Sequence, residues 1–265
     1  MFAKLLKHEW RASRGLVGLL CAIIGVSGLL FGGIARYMTW SSVTGNAFMV
    51  SVYAVVMAVA VLAIVGCSVG AMYLLVHRFY TSRFTDQGYL LLTLPVTTHQ
   101  QLLSSIVNTV VGVTLVGITA FASAGVGIGI FLSTFDRETS AAMLQALKEG
   151  GLLLKTASGI GGIRILVAVL SLAVMLLADI LLLMLAVTVG SQAQKHPVLK
   201  GAALYIGADI LLTELNGFLS PWANEALGYP GIGGNAVTAL LIYTAAAAVS
   251  YFLMHRILDR KLNLI

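Results

Sequence analysis

Apolar residues fall in six runs, at about 16–38, 48–76, 102–132, 162–190, 201–215 and 236–254, and polar residues collect between them. Crossing the roughly 30 Å hydrocarbon core of a bilayer takes about 20 helical residues at 1.5 Å each. The pattern therefore predicts an all-α integral membrane protein with six transmembrane helices in one domain, 1–265. The fifth run is the shortest and most polar. It is expected to end near Thr213 and to continue as a re-entrant or extracellular segment, 216–235, through Pro221 and Pro230. Irregular backbone at that depth persists only where protein or water satisfies its amides. The second and third runs exceed what a bilayer needs by several turns, so their helices are expected to protrude or tilt.

Ahead of the first run, residues 1–14 set Phe2, Leu5, Leu6 and Trp10 at helical spacing on one side and Lys4, Lys7, His8, Arg11 and Arg14 on the other. This predicts an interfacial helix turning into the membrane at Gly15. Lys4, Lys7, Trp10 and Arg11 would be its membrane-interface anchors on anionic lipid. A secretory signal does not fit, because the following apolar run is longer than a signal core and no small-x-small site closes it.

Composition sharpens this reading. Of 265 residues, 59% are hydrophobic and only 10% charged, against about a quarter charged in soluble domains. The net charge of +6 does not indicate a nucleic-acid partner, because no basic cluster is interleaved with aromatics. Lys and Arg sit at the ends of apolar runs, as topology signals do. With the N-terminus inside, the inner side holds Lys4, Lys7, Arg11, Arg14, Arg78, Arg83, Lys195, Lys200, Arg256, Arg260 and Lys261. The outer side holds Arg36, Arg137, Lys148, Lys155 and Arg164. This excess places both termini in the cytoplasm and the loop 133–161 outside. Cys21 and Cys67 lie inside apolar runs at no metal-ligand spacing and read as packing residues.

The longest loop on the inner side is 77–101, and its centre is Thr85-Asp86-Gln87-Gly88-Tyr89-Leu90-Leu91-Leu92-Thr93-Leu94-Pro95-Val96. Thr85 or Asp86 can cap a short helix, and Pro95, lacking an amide hydrogen, stops it. Arg78, Arg83, His77 and His99 flank it with basic groups. Two readings stand side by side: a docking element for a cytosolic partner, and an interfacial turn lying on the headgroups.

Catalytic chemistry is not visible. Gly150-Gly151-Leu152-Leu153-Leu154-Lys155-Thr156 lacks the glycine that a phosphate-binding loop places before its lysine, and there is no HExxH helix, no GxSxG elbow and no metal-binding spacing. Two carboxylates do fall inside spans, Asp179 in the fourth and Asp209 in the fifth. Ionisable groups at that depth are expensive and are functional candidates by default. Glu214 is a third candidate nearer the outer surface, although five residues from Asp209 is about 140° round a helix. The readings for these groups are a transport route and polar helix-to-helix contacts. Small-xxx-small pairs at Gly28 and Gly32, Gly66 and Gly70, and Gly125 and Gly129 offer close helix approach.

The opening Lys4-Leu5-Leu6-Lys7-His8-Glu9-Trp10-Arg11 and the loop Gly88-Tyr89-Leu90-Leu91-Leu92-Thr93-Leu94-Pro95-Val96 resemble the ABC-2 type permeases of bacterial ABC transporters. Together with the six spans, the likeness covers nearly the whole chain. Many of those permeases carry a lysine shortly after the Pro-Val, near where this chain has Ser104-Ser105. The resemblance implies a permease of the bacterial cell membrane in which Asp86, Gly88, Tyr89, Leu90, Leu94 and Pro95 belong to a coupling helix. It further implies a separate ATP-binding cassette ATPase subunit that holds ATP and Mg, and a second permease subunit, identical or homologous. No cofactor or metal would bind the chain itself, which would not be an enzyme alone. The expected activity is export of an amphipathic drug, antimicrobial peptide or lipid-like compound, as in antimicrobial resistance. The rivals are a proton-coupled secondary carrier using Asp179 and Asp209, and a non-transporting sensor or immunity protein.

Overall fold

The computed structural model describes residues 2–40, 47–84, 97–133, 145, 161–192, 196–226 and 232–262. Six long helices carry nearly all of them: α1 (Phe2–Trp40), α2 (Ala47–Phe84), α3 (Thr98–Leu132), α4 (Gly161–Gly190), α5 (Pro197–Ala226) and α6 (Ile232–Leu262). Five of the six, all but α5, are long and apolar enough to cross a membrane. Among the described residues the fold is all-helical, with helices suited to an integral membrane protein. At 1.5 Å per residue, the 38 residues of α2 and the 35 of α3 extend to roughly 57 and 52 Å. Both exceed a bilayer core.

Hydroxyls inside these helices find acceptors on their own backbone. Ser27 donates to the Ile23 carbonyl, Ser68 to Ile64 and Thr188 to Met184, each at 2.8 Å. Such bonds let Ser and Thr stand in apolar surroundings without an unsatisfied group.

The chain divides into two compact units. One comprises His8–Leu75 and Val111–Ala157. Its core is Val17, Leu20 and Ile24 of α1, Ala71 and Leu75 of α2 and Val116 of α3, with the free thiols Cys21 and Cys67 packed against it. Lipid tails are as apolar as these side chains, so close backbone approach matters more here than hydrophobic exclusion. A Cβ on Gly28 would stand 2.0 Å from Ser123 Oγ, and one on Gly32 would stand 3.0 Å from the Gly127 Cα. Ser123 Oγ also donates to the Ile24 carbonyl at 2.8 Å. Of the three glycine pairs, Gly28 and Gly32 are thus the pair that seats a neighbouring helix. Gly66, Gly70, Gly125 and Gly129 face open space.

The second unit comprises Met1–Lys7, Val76–Val110 and Ser158–Ile265. Here α4, α5 and α6 pack on one another around Ile180, Met184, Leu212, Tyr243 and Met254. Gly201 of α5 lies against the Ala186 carbonyl of α4, where a Cβ would stand at 2.9 Å. Thr238 Oγ1 of α6 donates to Asn216 Oδ1 of α5 at 2.8 Å.

Two local expectations meet a different backbone. An interfacial helix 1–14 does not stand apart, because α1 passes Gly15 unbroken. A single interior glycine costs about 1 kcal/mol relative to alanine, too little to end a helix with good formers on both sides. The polarity of that segment is as expected: Lys4, Lys7, Arg11 and Arg14 are exposed, and Phe2, Leu5, Leu6 and Trp10 are half-buried. The fifth helix does not end near Thr213. It continues through Pro221 to Ala226. Proline at 221 removes the amide that would bond the Gly217 carbonyl, and Ser220 Oγ donates to that carbonyl instead, at 3.2 Å.

Candidate functional site

Two places in the second unit bring chemistry-bearing residues together. The first is the base of the loop between α2 and α3. Thr97 caps α3: its hydroxyl accepts from the Gln100 amide at 3.4 Å and its carbonyl from the Gln101 amide at 3.1 Å. The sequence Thr97-Thr98-His99-Gln100 has the spacing of a capping box, a start signal a few residues ahead of where the apolar run begins. At the other side of the loop, the last turns of α2 form an aromatic collar. The Tyr80 and Phe84 rings stack with centroids 5.7 Å apart, and Phe79, buried, meets Phe84 edge-on at 6.2 Å.

Arg83 joins the two helix ends. Its Nη2 donates to the Gln101 carbonyl and to Ser105 Oγ, the latter at 2.9 Å, and its guanidinium carbon lies 5.4 Å from the Phe79 ring centroid. Gln101, Ser104 and Ser105 are buried. With Nη1 also 3.5 Å from Gln101 Oε1, the planar guanidinium spreads both nitrogens over three acceptors, a geometry that a lysine ammonium does not reproduce. Sequence alone marks Arg83 only as one basic flank among four. Its role is not legible there, because it depends on which turn of α3 faces the end of α2. Asp86, Gly88, Tyr89, Leu90, Leu94 and Pro95 lie outside the described residues, as does nearly all of the loop 133–161.

The second place lies between α4 and α5, which only a short connection separates. His196 adopts a left-handed backbone (φ 53°), and Pro197 opens α5, the position where a missing amide costs least. Tight contact of Gly201 with Ala186 fixes the register of this antiparallel pair. Asp209 follows Gly201 by about two turns and Asp179 precedes Ala186 by about two. The carboxylates therefore come to one level. They are within electrostatic reach of each other, and Tyr205, one turn before Asp209, is within reach of both. All three are half-buried.

Two carboxylates at one level of the helix pair suit a cationic part of a ligand, with the Tyr205 phenol as an additional hydrogen-bond donor. Glu214 is exposed. Sequence reasoning does not single out Tyr205, although its place four residues before Asp209 puts it on the same helix face. Among the described residues, no group of three or more His, Cys, Asp or Glu side chains is placed to hold a metal ion.

The chain matches no family model, no curated protein and no solved structure.

Proposed function

We propose that the chain is the membrane-spanning permease subunit of an ATP-driven exporter of the ABC-2 kind. ATP and Mg would be held by a separate ATPase subunit, and a second permease subunit would complete the transporter. The observation that supports this most is the pair α2 and α3. Both are longer than a bilayer requires, and both end at the 85–96 loop, where Arg83 ties one to the other. A loop on two stiff, cross-tied helices can receive a push and pass it on as rigid-body movement. A loop lying on headgroups needs neither the length nor the tie. In this reading Tyr89 is the anchor of the docked segment, since aromatic residues dominate interface energetics, and both termini are cytoplasmic.

The α4–α5 register, which brings Asp179 and Asp209 to one level, favours a second reading, a carrier driven by protons. Its distinguishing property is transport without nucleotide. Co-expression with any soluble ATPase encoded beside this gene, followed by purification in detergent, tests the first reading. A stoichiometric complex that hydrolyses ATP supports it. Transport by the chain alone in proteoliposomes, driven by a pH gradient, supports the second.

A further inference from the structure

Asp179 and Asp209 stand at one level of the α4–α5 pair with no counter-charge among the described residues. Neither carboxylate forms an ion pair or a hydrogen bond with a described side chain or amide. Lys200, the cation that α5 carries, is exposed and lies about 13 Å along the helix from Asp209. Asp179 belongs to the span Leu166–Gly190, where an uncompensated carboxylate is expensive and is ordinarily paired or opened to a polar cavity. Buried Ile180 and Leu212 follow the two groups along their helices, so their neighbours in the core are apolar.

The third helix of the unit carries small side chains at that same level. Thr238 and Asn235 of α6 meet Asn216 and Asn224 of α5, which sets α6 antiparallel to α5 and brings the stretch 245–250 to the level of Asp209. That stretch is Ala245-Ala246-Ala247-Ala248-Val249-Ser250, and its alanines leave room that larger apolar residues would fill. Ser250, only 4% exposed, ends it with a hydroxyl that bonds to no described residue. Buried hydroxyls are ordinarily bonded, so one without a partner marks a place where a further polar group belongs. We propose that this level of α4, α5 and α6 holds an organic cation. Its charged group lies between Asp179 and Asp209, Tyr205 and Ser250 bond its polar substituents, and its apolar body lies against the alanine run. A metal ion would need more ligating side chains than the described residues offer here. The inference names the class of cargo for the transport reading and rests on that reading for uptake, whereas binding itself needs neither an ATPase nor a proton gradient.

The test measures equilibrium binding of radiolabelled tetraphenylphosphonium to the full-length chain in detergent, beside tetraphenylborate, an anion of the same shape. One saturable site per chain is expected for the cation and none for the anion. Asp179→Asn and Asp209→Asn should each weaken binding by about tenfold or more, as removal of one partner of a partly buried charge pair does. Asp209→Glu, which keeps the charge, should bind more tightly than Asp209→Asn, and Glu225→Gln, exposed on the same helix, should leave binding unchanged. Uptake of the same cation into proteoliposomes is measured separately, with an ATPase partner and under a pH gradient. Saturable binding without uptake would support the site and count against the transport reading. No saturable binding of tetraphenylphosphonium, equal binding of the borate, or binding undiminished in both Asn variants overturns the proposal.

Discussion

Arg83 of α2 reaches Ser105 of α3 across the base of the 85–96 loop, Nη2 to Oγ at 2.9 Å. Both ends of the loop are therefore fixed by one side chain. Hydrogen bonds from a charged donor contribute about 1.5–3 kcal/mol each. Arg83→Ala is expected to destabilise the protein by an amount on that order. Arg83→Lys should recover only part, since an ammonium lacks the planar fork. Thermal unfolding in detergent measures both, and an unchanged midpoint for Arg83→Ala would remove the tie from the account.

Glycine at position 28 is required by the approach of Ser123, whose Oγ would stand 2.0 Å from an added Cβ and whose carbonyl oxygen would stand at 2.7 Å. Backbone cannot move aside as a flexible side chain does. Gly28→Ala is expected to cost about 1–3 kcal/mol, the usual penalty of overpacking. Gly66→Ala, where nothing lies within 4 Å, should be neutral or slightly stabilising, because alanine is the better helix former. Equal effects of the two in the same unfolding assay would contradict the packing described.

These two glycines mark how far the sequence can be read. Both belong to small-xxx-small pairs, and spacing identifies either as a possible contact. Which one meets a helix depends on how α1 and α2 are each rotated against their neighbours, which no local pattern encodes. Pro221 reads in sequence as an interruption of the fifth helix, and the compensation lies one residue away, in the Ser220 hydroxyl on the Gly217 carbonyl. The helices themselves are legible because apolar runs of bilayer length leave few alternatives. Asp179 is legible as a carboxylate out of place, whereas Asp209 belongs to α5, the helix that is not among those apolar enough to cross a membrane. Their proximity is not legible, because it follows from the α4–α5 register that Gly201 sets against Ala186.

Substituting those carboxylates separates function from packing. Asp179→Asn and Asp209→Asn keep shape and remove charge, and each is expected to lower transport, or transport-stimulated ATP hydrolysis, while leaving insertion and folding intact. Unchanged turnover in both variants would make the pair a structural contact.

Orientation is open to direct chemical test. Cysteines placed at Thr139 and Gly234 are expected to react with an impermeant thiol reagent in intact cells, and a cysteine at Thr98 is expected to react only after the membrane is opened. Labelling at position 98 from outside would reverse the topology, which rests on the distribution of Lys and Arg.

Everything in the exporter reading converges on what residue 89 touches. A photo-crosslinking amino acid in place of Tyr89, activated in native membranes, tests this whatever the substrate is. The account predicts a single major adduct with a soluble ATP-binding cassette ATPase. Its yield should fall sharply when Gly88→Trp is added, since a bulky ring beside the anchor blocks close approach. Adducts with lipid alone, unaffected by Gly88→Trp, would contradict the account and leave the 85–96 segment as a turn on the membrane surface.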